Sequence, residues 1–337
     1  MLEAILVVHV NSYLLVTGYY QCKSQFKLNK LISLNNASWF YRVIILITLS
    51  LLQVIQVEKK DIIRGFFPLD SCAYWFIQMY LFLCCFSPFI NQFIKCLTQK
   101  QFQMLLILCF IIFSILPSIS MQMIINIDKG HSFMSVVFMY LLGAYFRYYP
   151  VQNLSFFKTN SKKKNQILFL SGFICCFLIN FLFCCFGKFL MNGGEITKFL
   201  GETINLAFLS YGNPLVILGS LMYFFWFGTF VFKNKWINKV GKLTLVVYLI
   251  HDNPYTRVWL YPVLGFTEGK IYTGIIIIAK VFACAFLIFI LCIILEWLRQ
   301  LLFQKIKQLK IAKWIHKKWQ KCMKQMIFLL KIETSWE

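Results

Sequence analysis

The stretch QILFLSGFICCFLINFLFCCFGK, Gln166–Lys188, holds no charged side chain before its last residue, and Lys162, Lys163 and Lys164 stand in front of it. About twenty apolar residues in a helix span the ~30 Å hydrocarbon core of a bilayer. The lysines mark the end expected to stay in the cytoplasm. Similar runs recur at about 4–20, 39–57, 72–91, 102–120, 132–149, 204–231, 243–263 and 272–295, which with this one makes nine. Of 337 residues, 60% are hydrophobic and 14% charged, too little polar surface for a soluble domain of this length. The predicted fold class is all-α, a polytopic helical membrane protein of about nine transmembrane helices. A transmembrane domain over 1–296 is followed by a basic tail over 297–337.

The loops set the orientation. Lys23, Lys27 and Lys30; Lys95 and Lys100; Arg147, Lys158 and Lys162–Lys164; and Lys233, Lys235, Lys239 and Lys242 fill alternate loops that contain no acid. The intervening loops mix signs, as in Glu58, Lys59, Lys60, Asp61, Arg64 and Asp70. The basic set is therefore expected in the cytoplasm, and the C-terminus with it. From Arg299 to Lys324 the tail has nine Lys/Arg and no acid, with Leu302, Ile306, Leu309, Ala312 and Ile315 at three- and four-residue steps. That pattern predicts a basic amphipathic helix on the anionic inner leaflet. Orientation and membrane lipids account for the net charge of +22 without a nucleic-acid partner. The 13 cysteines fall mostly inside apolar runs, with no CxxC pair, and read as small apolar filler; no metal site is expected. The abundance of Ile, Phe, Lys and Asn points to an AT-rich bacterial genome, and so to a bacterial plasma membrane.

One apolar run carries polar residues at its middle: LTLVVYLIHDNPYTRVWLY, residues 243–261. His251 stands eight residues from Leu243, about 12 Å along a helix and close to the midplane. A charged group there costs about 2.5–3.5 kcal/mol, so such residues face a cavity or a partner. Pro254 would free the carbonyl of Ile250, and Asn213-Pro214 in the preceding run would free that of Ser210. Two Asn-Pro breaks at similar depth predict a polar cavity where the two spans meet. A packed polar kink, with His251 bonded to Asp252 or a neighbouring helix, is the structural alternative.

Four stretches together resemble the integral-membrane acyltransferases of the acyltransferase-3 type: VNSYLLVTGYY (10–20), YWFIQMYLFLCCFSPFIN (74–91), FMYLLGAYFRYYP (138–150) and INKVGKLTLVVYLIHDNPYTR (237–257). The resemblance implies transfer of acetyl or other acyl groups to sugars of surface polysaccharides, with acetyl-CoA as co-substrate and no bound cofactor. Family members usually begin with a further helix bearing an Arg/Lys and, about eleven residues on, a catalytic histidine. Nothing here matches it, because TGYY follows His9 too closely. His9 is expected at the outer end of a span, and the chain to lack the first helix.

The chemistry suits acyl transfer, since a neutral imidazole can take the proton of a sugar hydroxyl. His251 is the candidate catalytic residue, with Tyr248 one short turn before it on the same face and Asp252 brought round by the kink to orient the ring. Asn213, Asn253, Arg64 and Trp75 are candidates for binding the polysaccharide or lipid-linked sugar acceptor. Lys27, Lys30, Arg42 and Lys242, placed at cytoplasmic ends of spans, are candidates for the phosphates of CoA. A transporter or flippase of lipid-linked sugars is the rival class, since broken midplane helices are a transporter device. Against it stand the lack of an internal repeat and Asp252 as the one acid deep in a span. A glycosyltransferase or polymerase would carry a DxD motif, which is absent. A remnant that folds but does not catalyse is the remaining alternative.

Overall fold

The lysine-flanked run from Gln166 lies inside one 29-residue helix, Lys162–Leu190. Ser161 caps its start by accepting the Lys164 N–H at 3.3 Å. Three lysines in a first turn oppose the helix macrodipole, so local helix stability does not explain them, whereas orientation in a membrane does. The computed structural model describes residues 6–26, 28–66, 74–120, 128–241, 243–265 and 275–308, and its regular elements are all helical. In chain order the main helices are α1 (Val8–Gln21), α2 (Leu28–Leu51), α3 (Lys59–Phe66), α4 (Trp75–Cys96), α5 (Gln99–Phe110) and α6 (Phe133–Tyr148). Then come α7 (Lys162–Leu190), α8 (Glu195–Phe208), α9 (Pro214–Gly228), α10 (Lys235–Gly241), α11 (Thr244–His251), α12 (Pro254–Val263) and α13 (Ile275–Gln308). α5 continues to Ile119 through a π-helical turn at Ile111–Ile115. That turn precedes Pro117, whose ring cannot fit a regular helix interior.

Among the described residues, five helices are long and apolar enough to cross a membrane: Leu28–Leu51, Trp75–Cys96, Gln99–Ile119, Lys162–Leu190 and Ile276–Leu301. The runs expected at 132–149 and 204–231 yield shorter apolar helices, Phe133–Tyr148 and Pro214–Gly228. Sixteen residues in α6 reach only about 24 Å. The run at 243–263 is two helices, α11 and α12, instead of one. α13 passes through the expected domain boundary at 296 and ends at Gln308; the rest of the basic tail lies outside the described residues.

The chain divides into two compact units, the first made of residues 1–37 and 67–233. α6 is its centre, buried at Ser135, Val136 and every position from Phe138 to Tyr145. α1 lies against α6 at backbone contact. A Cβ on Gly18 would fall 2.1 Å from the Tyr140 carbonyl oxygen, and one on Gly143 would fall 2.1 Å from that of Leu15. Each helix thus presents its glycine to the other's backbone, the small-residue packing that replaces hydrophobic drive between membrane helices. Leu14, Leu15, Leu83, Phe102, Phe138 and Tyr140 form the core around this crossing. Polar side chains tie the same helices together: Gln21 Nε2 donates to Ser87 Oγ at 3.1 Å, Asn91 Nδ2 to the Gln21 carbonyl at 3.2 Å, and Tyr140 Oη to Asn91 Oδ1 at 2.7 Å. α7 and α8 form a hairpin around Gly187 and Gly201, a second close glycine pair.

Asn180 on α7 is buried, and neither polar atom of its amide finds a hydrogen-bond partner among the described residues. It borders a void of about 10 Å³ walled by Val8, Phe173, Cys176 and Val216. Removing both unmet groups at similar volume is expected to stabilise the protein. Asn180→Leu should gain about 1–2 kcal/mol, read as a raised Tm in detergent. A lowered Tm would mean that the amide is satisfied in the folded protein.

The second unit comprises residues 38–66 and 234–337. It takes α2 from Ser38 onward, then α3 and α10 to α13, with α11 packed on α13. Its buried polar tie joins α2 to α13. Glu296, 3% exposed, accepts from Tyr41 Oη, from Arg299 Nε at 2.6 Å and Nη2 at 2.7 Å, and from Gln300 Nε2 at 2.8 Å. The Arg299 guanidinium lies against the rings of Phe40, Tyr41 and Phe303, 5.3–5.7 Å from their centroids. Bidentate pairing plus aromatic contact is what a guanidinium needs where water is scarce. Asp252 is therefore not alone as an acid within the helical region.

Candidate functional site

His251 ends α11 because Pro254 cannot continue it. Its Nδ1 lies 2.6 Å from the Val247 carbonyl oxygen one turn back. A carbonyl only accepts, so Nδ1 donates there, and in a neutral ring this leaves the lone pair on Nε2. The backbone therefore fixes the orientation of the ring. Asp252 is drawn the other way, its Oδ1 3.7 Å from Arg257 Nε in a loose, partly exposed pair. The ring-orienting role expected of Asp252 thus falls to the Val247 carbonyl. Tyr248, three residues before His251, is half-buried on α11.

Both Asn-Pro pairs are helix starts. Asn253, wholly buried, accepts the Tyr255 N–H at 3.0 Å and begins α12 with Pro254 as its first residue. Asn213 does the same for α9, accepting the Leu215 N–H at 2.8 Å and donating from Nδ2 to the Ala207 carbonyl at 3.2 Å. The Ser210 carbonyl expected to be freed accepts from the Asn213 N–H at 3.1 Å. Proline suits the first helical position because the N–H it lacks has no use there. The two asparagines expected to bind substrate are thus engaged as caps. They belong to separate units, Asn213 to the first and Asn253 to the second.

Beyond the break, α12 carries Tyr255, whose hydroxyl donates to Asp61 Oδ1 on α3 at 3.3 Å. The guanidinium of Arg42, on α2, lies 5.8 Å from the centre of the same ring. Arg42 lies inside α2, which begins at Leu28, fourteen residues earlier, and it is 3% exposed. The polar residues Asn29, Lys30, Asn35 and Asn36 lowered the hydropathy there without stopping the helix. Arg42 Nε and Nη1 have no hydrogen-bond partner among the described residues. Arg42 of α2, Asp61 of α3 and Tyr255 of α12 thus form a polar group, with Tyr255 four residues after His251. Neither Asp61 nor Tyr255 was legible as a site residue; the amphipathic spacing of KKDIIRGF was the one signal for Asp61.

The other expected residues disperse. Lys30 is exposed in the first unit, and Arg64 lies on α3. Lys27 and Lys242 fall outside the described residues. Trp75 starts α4 in an aromatic cluster of the first unit, 4.3 Å from the ring of His131 and stacked on Tyr211 at 5.7 Å. His9 joins it through Tyr211 at 6.0 Å, and Asn11 Nδ2 donates to the Tyr211 carbonyl at 2.8 Å. Elsewhere in this unit the TGYY and YFR stretches meet. Tyr19, Tyr20, Phe146, Gln152, Phe224 and Phe225 wall a cavity of about 410 Å³, large enough for a small ligand. Arg147 Nη1 donates to Tyr19 Oη at 3.3 Å beside it.

Long apolar helices and a buried polar tie between two of them, from Tyr41 to Glu296, mark a multi-pass membrane protein. The family model described as "Acyltransferase domain", of the acyltransferase-3 type, matches residues 24–297. The chain belongs to that family. The match takes in His251, Arg42, Asp61, Tyr255 and Glu296. No curated protein and no solved structure matches the chain.

Proposed function

We propose that this protein is a membrane O-acyltransferase that moves an acetyl group from acetyl-CoA to a hydroxyl of a cell-surface or exopolysaccharide sugar. Family membership supports the reaction class, and the observation that carries the site is the His251 Nδ1 bond to the Val247 carbonyl. It leaves Nε2 as the acceptor for the proton of an attacking hydroxyl. Tyr248 and the Arg42–Tyr255–Asp61 group supply polar contacts around the reacting atoms. Trp75 and Arg64 are assigned to the acceptor sugar, and Lys27, Lys30 and Lys242 to the phosphates of CoA. Nine spans in a bacterial plasma membrane, with the basic C-terminal helix on the cytoplasmic leaflet, complete the reading; its support is the alternation of basic and mixed loops.

The test is the O-acetyl ester content of surface polysaccharide, by NMR, in an acetylation-deficient strain expressing residues 1–337. A C-terminal tag reports insertion. The wild-type chain should restore esters, and His251→Gln should lower the rate at least about 100-fold at equal insertion, the usual contribution of a general base. Unchanged ester yield from His251→Gln would remove His251 from the mechanism. No esters from an inserted wild-type chain would count against the activity of these 337 residues.

A further inference from the structure

Two arginines of the second unit, one buried and one partly exposed, are treated differently. Arg299 is met by both oxygens of Glu296 and by three aromatic rings. Arg42, more deeply buried, keeps two N–H groups without a partner, and no ion pair to it is found among the described residues. Counting along α2, it lies about 21 Å from one end of the helix and 14 Å from the other, and it is 3% exposed. Burying a guanidinium with donors left unmet is costly. The unit is able to pair an arginine, as Arg299 shows. The unmet donors of Arg42 are therefore read as a receptor for a charge that arrives.

The burial selects the kind of anion. A phosphate would have to bring its full charge far from water. A thioester enters neutral and acquires charge only as it reacts. We infer that Arg42 is the oxyanion-binding catalytic residue of the acyl transfer, an assignment that rests on the acyltransferase reading. The acceptor hydroxyl oxygen bonds to the thioester carbonyl carbon as its proton passes to His251 Nε2. The carbonyl π pair moves onto oxygen, where Arg42 Nε–H and Nη1–H donate to it. Collapse restores the C=O bond and breaks C–S, and the imidazolium returns its proton to the leaving thiolate. The products are an ester and a free thiol. Tyr255, against the guanidinium and tied to Asp61, keeps the fork in place. Donors fixed before the charge appears are the most effective form of such stabilisation.

The test uses membranes carrying the full chain, acetyl-CoA, and polysaccharide from the acetylation-deficient strain as acceptor, with esters and released thiol both measured. Arg42→Ala should lower kcat by about 10²–10³ with little change in KM for acetyl-CoA, the size of effect seen when an oxyanion donor is removed. Added guanidinium should restore part of kcat to Arg42→Ala, whereas methylammonium should not, and Arg42→Lys should fall between. Rescue separates this role from a purely structural one, because both readings use the same inserted protein. A raised KM at unchanged kcat, or full activity in Arg42→Ala, overturns the assignment while leaving the acyltransferase reading standing. A wild-type chain that transfers nothing overturns both.

Discussion

Gly143→Val is expected to leave almost no folded protein. The backbone of α6 meets that of α1 at this position so closely that even a Cβ would stand 2.1 Å from the Leu15 carbonyl oxygen. The obstacle is main chain on both sides, so no side-chain rotation relieves it. The helices would have to separate by more than an ångström, opening the core built on Leu14, Leu15, Phe138 and Tyr140. Ordinary overpacking of a core costs about 1–3 kcal/mol, and a displaced helix crossing exceeds that range. Gly18→Val should act alike from the other helix, against the Tyr140 carbonyl. Gly228→Ala is the control, since nothing lies within 4 Å of a Cβ there. The measurement is the fraction of tagged protein that elutes as a single detergent-solubilised species and resists protease. A Gly143→Val chain as well behaved as Gly228→Ala would mean that the α1–α6 crossing is not the centre of the first unit.

Glu296→Ala is the second large effect. It strands the Arg299 guanidinium and leaves the Tyr41 hydroxyl without its acceptor. Breaking a buried ion pair from one side costs about 3–5 kcal/mol, because the surviving charge stays in a medium that cannot solvate it. The double variant Glu296→Leu with Arg299→Leu should regain most of that loss, since both charges go together. Thermal unfolding in detergent reads both. Equal destabilisation by the single and double variants would show that the pair matters for more than charge balance.

The sequence reading and the structure agree where the determinants are local. Long apolar runs became helices, and the two Asn-Pro pairs did interrupt them. The capping role of those asparagines was not legible because proline after asparagine carries two meanings. It breaks the helix behind it and caps the helix ahead, and only coordinates show Oδ1 turned to the Leu215 or Tyr255 N–H. The helix that holds Arg42 starts well before the span expected from residue 39, because hydropathy falls over Asn29–Asn36 whereas helix formation tolerates polar residues that a hydropathy window does not. Glu296 was read as the last residue before the tail. Its partner Tyr41 stands 255 residues away in the chain, a pairing no local pattern contains. His251 was legible as a histidine inside an apolar run, while the carbonyl that its Nδ1 meets was not.

The glycine crossing also bears on how the chain is made. Gly18 and Gly143 are 125 residues apart in the order of synthesis. At about 5–20 residues per second, α1 waits some 6–25 s in the translocation machinery or the bilayer before its partner exists. During that interval its buried Asn11 and Thr17 lack the neighbours they have in the finished protein. The helix is also short, fourteen residues. Its close backbone contacts form only once α6 has been made, so the first unit cannot close around this crossing before Tyr148 is in the chain.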